Sequence, residues 1–440
     1  TSSSTSNPQA NNFDHLISSS YKGRAVPERR VVITGLGGLC SVGHNMAEIW
    51  DGILNGQSGI RRIVSFDPSP FRTQIAGEVR DWDVTDHIDR KEARRLDPFC
   101  HYAVVTAEEA IAESGLLDTD LDLERVGVLV GSGIGGIRTI EEQHQKLLNG
   151  GPSRVSPFIV PMMIGDMAAG AISIRHGFQG PNWGLVSACA TGAHALGEAY
   201  HVIHRGDADV MIAGGTEACV TPLAVAGFSS MKALSTCNDE PERASRPFDA
   251  TRDGFVLAEG AATLVLETLE HALARGADIK AELIGYGASG DGHHITSPPA
   301  DGNGAVKAIQ RGLAHAGISP ADVQYINAHG TSTVMNDRIE TLAIRTVFGD
   351  AANQVAVSST KSLTGHTLGA AGALESAFCV KSIEDGMIPA TFNYQEPDPN
   401  CDLDIVPNKS RKVDVNVAIN MNFGFGGHNA VVVFRKYNGE

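Results

Sequence analysis

Short apolar segments alternate with helical patterns along almost the whole chain, and the alternation runs through two successive stretches. Predicted strands occupy residues 29–37, 126–130, 208–214, 262–266, 281–286, 323–326, 355–358, 415–419 and 430–434. Predicted helices occupy residues 45–55, 103–114, 304–316, 337–348 and 369–383. This order predicts an α/β fold in which a parallel or mixed sheet is covered by helices on both faces.

The overall charge and the cysteine pattern argue against several classes of protein. The chain has 440 residues and a formal net charge of −16, which disfavours non-specific binding to nucleic acid. No apolar run approaches the ~20 residues that cross a bilayer, so no membrane-spanning segment is predicted. The seven cysteines show no CxxC spacing, and neither a zinc site nor a disulfide framework is indicated.

Residues 1–27 are rich in serine and asparagine and lack a periodic apolar pattern, which predicts a disordered N-terminal tail. Transit peptides usually carry arginine, and the first 20 residues contain neither lysine nor arginine. A cytoplasmic protein is therefore expected. A mitochondrial or plastid protein that has lost its transit peptide is the alternative.

Cys189 lies in the segment Ser-Ala-Cys-Ala-Thr-Gly, residues 187–192. An apolar, strand-like run over residues 183–186 precedes it, and a helical pattern with Leu196, Ala199 and Val202 on one face follows. This order predicts a strand, a tight turn and a helix, with the cysteine at the helix N-terminus. There the helix dipole stabilises a thiolate and free N–H groups bind an oxyanion. A buried structural cysteine is the alternative interpretation.

Two histidines also follow predicted strands, His329 directly and His366 after the loop 361–366. Ligand sites of open α/β sheets collect at the carboxyl ends of strands, so both histidines, Cys189 and the loop of Phe425 are expected to converge. A cysteine protease needs one histidine and an orienting Asn or Asp. Two histidines suit a different task, which is to stabilise negative charge on a thioester oxygen while a second substrate reacts.

Three charged residues accompany the second histidine. Lys361, five residues before His366, is expected to raise the local positive potential. Asp337 and Glu340, one helical turn apart, are expected to hold this lysine and the backbone geometry. An acid pair on a helix surface is the alternative interpretation.

Two further segments have open interpretations. The basic segment 89–97 on an acidic protein is either a solvated helix face or a docking site for an acidic partner. The glycine-rich loop 131–136 lacks the Lys-Ser/Thr pair of a phosphate-binding loop. It is therefore predicted to pack against a substrate or another loop.

Six segments in this order resemble the elongating β-ketoacyl-acyl-carrier-protein synthases of the type II group, within the thiolase superfamily. They are residues 187–192, 246–249, 252–256, 327–333, 361–372 and 422–427, and the resemblance extends over residues 29–436. It implies a five-layer α-β-α-β-α fold of two similar halves, normally a homodimer. Residues 28–277 would carry the nucleophile and residues 278–440 the catalytic histidines.

The resemblance implies a decarboxylative Claisen condensation without a redox cofactor. Cys189 matches the acylated nucleophile, and His329 and His366 match the pair that promotes malonyl decarboxylation. Lys361 matches a lysine paired to an acid at the position of Glu340, with Asp337 in support. The N–H groups of Cys189 and Phe425 match the oxyanion hole, and Phe425 also matches a gate.

The resemblance also implies binding residues for the substrate, for acyl carrier protein and for a structural K⁺ or Na⁺. Residues that match the acyl tunnel or the pantetheine channel are Ile134, Thr296, Thr331 and Thr333. Residues that match the carrier-protein contacts are Lys91, Arg94, Arg95, Arg154 and Lys232. Residues that match the cation ligands are Asn327 and Glu375, with backbone oxygens near Asn420 and Met421.

Three alternatives stay open. A polyketide ketosynthase performs the same chemistry on different acyl chains. A thiolase uses a second cysteine where this chain presents two histidines. A non-catalytic chain-length partner lacks the nucleophile, whereas Cys189 is present.

Overall fold

A mixed sheet of ten strands forms the centre of the computed structural model, which describes residues 29–439. The predicted tail over residues 1–27 lies outside the described residues. The strands of the chain are β1 (Val31–Cys40), β2 (Arg61–Arg62), β3 (Ile75–Ala76), β4 (Val126–Gly131), β5 (Asn182–Trp183), β6 (Val210–Glu217), β7 (Gly260–Thr268), β8 (Ala281–Gly290), β9 (Tyr325–Asn327), β10 (Ala356–Ser358), β11 (Met387–Ile388), β12 (Arg411–Lys412), β13 (Val417–Gly424) and β14 (His428–Arg435).

Helices connect most of these strands. They are α1 (Met46–Leu54), α2 (Arg90–Ala93), α3 (Pro98–Ser114), α4 (Ile137–Gly150), α5 (Ile159–Met163), α6 (Met167–His176), α7 (Thr191–Arg205), α8 (Pro222–Ser230), α9 (Leu269–Ala274), α10 (Asn303–Ala316), α11 (Val334–Phe348), α12 (Lys361–Thr364) and α13 (Ala371–Asp385). None of the helices within residues 29–439 has the length and apolar character needed to cross a membrane.

The large sheet consists of two halves with the same internal order. The first half runs β5-β4-β6-β7-β1 and the second runs β10-β9-β13-β14-β8. In each half the first three strands are parallel and the last two are antiparallel to their neighbours. The halves join where β1 pairs with β8 over three residue pairs, from Val31↔Leu283 to Ile33↔Ala281.

Helices lie on both sides of each half-sheet, which gives the five layers. Helices α7 and α13 contact each other and strands of both halves, and form the middle layer. Helices α3 and α6 cover the outer face of the first half, and α10 covers that of the second. The predicted five-layer α-β-α-β-α fold is therefore confirmed.

Glycines allow the two middle helices to approach closely. A Cβ on Gly192 would lie 2.5 Å from the backbone nitrogen of Ala373, and a Cβ on Gly372 would lie 2.4 Å from that of Ala193. A real Cβ does not tolerate such distances, so these glycines set the separation of α7 and α13. The Cys189 turn and the loop of His366 consequently meet between the halves.

Most predicted elements are confirmed within a few residues, and two differ. The predicted helix over residues 103–114 begins earlier, at Pro98, because proline fits the first turn and the Asp97 side chain accepts a hydrogen bond from Phe99 N. The predicted strand over residues 183–186 is wrong. Strand β5, at the edge of the sheet, pairs with β4 at two positions only and ends at Trp183, and residues 184–187 follow without regular structure.

Candidate active site

Cys189 lies in a 3-10 turn, Ala188–Ala190, directly before α7. Ala188 has a φ of +52°, a left-handed conformation that is costly for a residue with a Cβ. The Thr191 hydroxyl accepts a hydrogen bond from Ser187 N at 2.9 Å across the turn. The predicted position of Cys189 at a helix N-terminus is therefore confirmed.

Two opposing effects act on the pKa of the Cys189 thiol. Burial raises the pKa of the Cys189 thiol to about 12, although the charge of Lys361 and the N–H groups of Phe425 and Cys189 lower it. Burial has the larger effect because desolvation penalises the charged form. The predicted lowering of the thiol pKa by N–H groups at the helix N-terminus is thus present, but burial outweighs it in the free protein.

His329 and His366 lie beside the thiol as a pair of neutral rings. Their ring centroids are 5.3 Å apart with an interplanar angle of 83°. A ring nitrogen of each histidine and Cys189 Sγ all lie within 4.8 Å of one another. Burial, followed by the positive charge of Lys361, holds the pKa of both imidazoles well below 6.5. Both rings are therefore uncharged N–H donors at neutral pH.

Backbone hydrogen bonds fix both histidines. His329 N and Gly330 N donate to the two carboxylate oxygens of Glu340, each at 2.7 Å. His366 N donates to Val256 O at 2.7 Å, and its carbonyl accepts from Ala258 N at 3.0 Å. Glu340 thus holds the backbone geometry at His329, as the sequence predicted.

The predicted pairing of Lys361 with Glu340 is wrong. Lys361 is buried and its Nζ forms an ion pair with Glu375 on α13. Glu340 is engaged by the two N–H groups of the His329 segment and does not accept from this lysine. Asp337 does not pair with Lys361 either, since it lies 3.5 Å from Arg252 Nε. It does hold backbone geometry, because it accepts a hydrogen bond from Phe248 N at 2.9 Å.

A cavity of about 580 Å³ opens onto the cysteine and the two histidines. All predicted substrate-binding residues line it, together with one of the predicted docking residues. The substrate-binding residues are Ile134, Thr296, Thr331 and Thr333, and the docking residue is Lys232. Phe425, predicted for the oxyanion hole and the gate, lines the cavity as well. Sequence spacing alone could not bring them together, since they come from both halves of the chain.

The remaining predicted docking residues lie on the surface. Lys91, Arg94, Arg95 and Arg154 are all exposed, and none of them lines the cavity. The Arg95 guanidinium lies over the ring of Phe158, 5.1 Å from its centroid. These residues form a basic surface outside the cavity.

The predicted cation ligands Asn327, Glu375, Asn420 and Met421 are all buried. Asn327 and Asn420 are cross-strand neighbours on β9 and β13. The side-chain oxygens of both asparagines, and that of Asn422, have no hydrogen-bond partner among residues 29–439. Unpaired amide oxygens suit a hard monovalent cation, so the asparagines fit K⁺ or Na⁺. Glu375 fits less well, because Lys361 Nζ and Asn422 Nδ2 already engage its two oxygens. Asn422 was missed by the sequence analysis.

The same cysteine and histidines could also hold a soft metal. One sulfur and two imidazole nitrogens are a donor set that Zn²⁺ accepts, with a fourth position left to the cavity. Acyl transfer needs the same three atoms. A bound zinc ion would therefore block the chemistry instead of assisting it.

Two family models match the chain. The N-terminal domain of β-ketoacyl synthase matches residues 28–272, and its C-terminal domain matches residues 280–395. The chain belongs to the β-ketoacyl synthase family. It is a condensing enzyme of the acyltransferase type with a thiolase-like fold.

Curated relatives cover nearly the whole synthase. A 3-oxoacyl-[acyl-carrier-protein] synthase 2 of Staphylococcus aureus is 52% identical over 409 residues, which are 93% of this chain and 99% of the relative. The enzyme of the same name from Synechocystis sp. is 50% identical over 410 residues, with the same coverage of both chains.

Solved structures resemble the synthase over the same range. A type II polyketide ketosynthase in complex with its acyl-carrier protein matches with a TM-score of 0.87 and 36% identity. A β-ketoacyl synthase from Burkholderia phymatum matches with a TM-score of 0.85 and 36% identity. Each match covers 93% of this chain and 100% of the solved chain.

Proposed function

We propose that this synthase elongates fatty acyl chains on acyl carrier protein as a 3-oxoacyl-[acyl-carrier-protein] synthase 2. The observation that carries the proposal is the convergence of Cys189 Sγ with two neutral imidazoles within 4.8 Å at the cavity. The names of the curated relatives support the same reaction.

The first half-reaction is acyl transfer. Cys189 attacks the carbonyl carbon of the acyl thioester, and the N–H groups of Cys189 and Phe425 stabilise the oxyanion. The carbon–sulfur bond to pantetheine breaks, and the thiol proton passes to the departing sulfur. A neutral imidazole within reach of Sγ can relay this proton, which matters because burial disfavours a free thiolate.

The second half-reaction is decarboxylative condensation. Malonyl-carrier protein loses CO₂, and its thioester oxygen gains negative charge as the carbanion forms. Neutral His329 and His366 donate hydrogen bonds to that oxygen, which a cationic pair beside buried Lys361 could not do without a large cost of desolvation. The carbanion attacks the acyl thioester, and 3-oxoacyl-carrier protein and free Cys189 result.

We propose that acyl carrier protein docks on the basic surface formed by Lys91, Arg94, Arg95 and Arg154, with Lys232 at the cavity. Their exposed positive charge on an acidic synthase supports an acidic partner. We expect Lys91→Glu with Arg95→Glu to raise the KM for acyl-carrier protein about tenfold at low salt and to spare small acyl thioesters. An unchanged KM would refute this docking surface.

We also propose a homodimer that forms across β5. This strand is an edge of the sheet, and apolar side chains around it are exposed, including Ile174 at 80% and Val186 at 64%. An unpaired apolar edge is costly in water and suits pairing with a second copy. Light scattering should give twice the mass of the chain, and Val186→Glu should give monomers.

A bound K⁺ or Na⁺ and a cytoplasmic location complete the proposal. The unpaired amide oxygens of Asn327 and Asn420 support a monovalent cation, and exchange of K⁺ for a large organic cation should lower Tm.

The bacterial origin of the curated relatives supports a cytoplasmic location of the synthase. Imaging of the tagged full-length protein separates this location from a mitochondrion or plastid.

Intact mass spectrometry tests the proposed reaction. The synthase is incubated with a series of acyl-carrier proteins of increasing chain length, and the mass added to the chain is recorded. We expect a single acyl adduct that is absent from Cys189→Ala and is discharged by malonyl-carrier protein. Acylation only by polyketide starter units would assign the synthase to a polyketide pathway.

A further inference from the structure

Glu217 ends strand β6 as a fully buried carboxylate between the two halves. Its Oε1 accepts hydrogen bonds from Ser132 Oγ at 2.8 Å and from Ile134 N at 3.2 Å. Its Oε2 accepts from Gly133 N at 2.9 Å and from Gly369 N at 3.0 Å. Four uncharged donors thus satisfy one carboxylate.

These donors come from two different places in the fold. Ser132, Gly133 and Ile134 belong to the loop after β4, and Ser132 Oγ also accepts from Gly135 N at 2.9 Å. Gly369 belongs to the 3-10 turn before α13 in the second half. A Cβ on Gly369 would lie 2.3 Å from Gly133 N and 2.9 Å from Glu217 Oε2. The carboxylate therefore holds the loop after β4 in direct backbone contact with the Gly369 turn of the second half.

The same loop carries a side chain of the cavity. Ile134 lines the cavity that contains Cys189, and 36% of its surface is exposed there. Because its backbone nitrogen is bound to Glu217, the carboxylate determines where the Ile134 side chain can lie. We propose that Glu217 is a positioning residue that holds Ile134 in the acyl channel and thereby limits the acyl chains that Cys189 accepts. This inference rests on the proposed function.

The chemistry of the side chain defines the test. A carboxylate presents two acceptor oxygens, whereas the amide of glutamine presents one oxygen and an NH₂ donor. Glu217→Gln therefore leaves buried N–H groups of the loop without an acceptor and frees Ile134 to move aside. We expect the ratio of kcat/KM for dodecanoyl over butyryl donors to rise about tenfold. This rise should come from a lower KM for the dodecanoyl donor, and kcat for the butyryl donor should be nearly unchanged.

A double-mutant cycle separates positioning from a general loss of stability. Ile134→Ala should raise the same ratio, and Glu217→Gln should add nothing to it in the double variant, because both changes act on one side chain. Glu267→Gln is the matched control, since Glu267 is equally buried but is bound by Arg275 and Thr34. It should leave the ratio unchanged. Additive effects of Glu217→Gln and Ile134→Ala would overturn the proposal.

Ser132→Ala is the second variant, in case Glu217→Gln does not fold. It removes one of the four donors and keeps the carboxylate, so we expect a shift in the same direction of about threefold. Acyl-Cys189 masses of the unmodified synthase with both donors are recorded in parallel. If neither donor acylates it, the proposed function and this inference fail together. If both acylate it and the ratio does not shift in either variant, the role of Glu217 alone is refuted.

Discussion

The turn that carries Cys189 has a counterpart in the second half of the synthase. Ala188–Ala190 follows the edge strand β5 and precedes α7, while Leu368–Ala370 follows the edge strand β10 and precedes α13. Each turn begins with a non-glycine residue of positive φ, +52° at Ala188 and +44° at Leu368. The two halves therefore build the same strained turn at the same point of the fold.

The occupants of the two turns differ. Gly369 stands where the first half has Cys189, and its N–H donates to the buried carboxylate of Glu217. At the first turn the N–H groups of Cys189 and Phe425 face the thiol, where they lower its pKa. A helix N-terminus attracts negative charge in both places. In the second half the carboxyl group of Glu217 occupies that position, although burial raises its pKa to about 7. In the first half the position is open to a reacting thioester oxygen.

Cys189→Ala removes the chemical difference between the turns and should have the largest effect. We expect acyl transfer to disappear entirely, because no nucleophile remains, while malonyl decarboxylation at the two histidines persists. Intact mass and CO₂ release measure the two activities separately. Loss of both activities in a folded variant would contradict the separation of roles between the halves.

His329→Ala should show the reverse deficit. The histidine belongs to the second half, and loss of one donor to a developing oxyanion typically costs ~10²–10³ in rate. We expect acyl-Cys189 still to form, because His366 remains within reach of Sγ to relay the thiol proton, and malonyl decarboxylation to fall by that factor. If acylation failed and decarboxylation survived, His329 would be the base of the cysteine, and a thiolase-like reaction would be favoured.

Gly369→Ala tests the turn Leu368–Ala370 of the second half, where Glu217 accepts from Gly369 N. The added Cβ would meet Gly133 N and Glu217 Oε2 inside van der Waals distance, so we expect a loss of about 1–3 kcal/mol in the free energy of unfolding. Denaturant unfolding of the variant gives this value. Gly227→Ala is the control, because no atom lies within 4 Å of its added Cβ. Equal stability of the two variants would show that the second turn is not tightly packed.

The pH dependence of decarboxylation should be the smallest effect. Burial and the charge of Lys361 hold the pKa of His329 and His366 well below 6.5, so both rings stay neutral as the pH falls from 7.5 to 6.5. We expect the rate of malonyl decarboxylation to change less than about twofold over this range. A rate that halves near pH 6.5 would indicate a histidine with an ordinary pKa and an exposed site.

Much of the fold follows from local pattern. The strands are apolar over lengths that match a buried sheet, and the helices begin and end at residues that favour those positions, such as Pro98 and Gly206. The joining of the halves through β1 and β8 is not predictable in this way. It depends on which strand edges meet after the chain has folded.

The candidate site was predictable where glycines and strand ends mark it, as at Cys189, His329 and His366. The partner of Lys361 was not, because Glu340 and Glu375 both lie on nearby helices and spacing does not give the distance between helices. The effect of burial on the pKa of the Cys189 thiol also escaped prediction, since the helix N-terminus is visible in sequence but the extent of burial is not. Glu217 was missed because a glutamate at a strand end is usually solvated.

Strand β1 has a consequence for the synthesis of the protein. All ten of its residues are buried, and Val31 pairs with Thr268 on one side and with Leu283 on the other. A ribosome adds about 5–20 residues per second. Synthesis of the chain from Val31 to Thr268 therefore takes roughly 10–50 s, during which β1 has no partner strand. During that time an apolar segment with two open edges is available for aggregation. We therefore expect the nascent chain to be most prone to aggregation before its first 268 residues have been made.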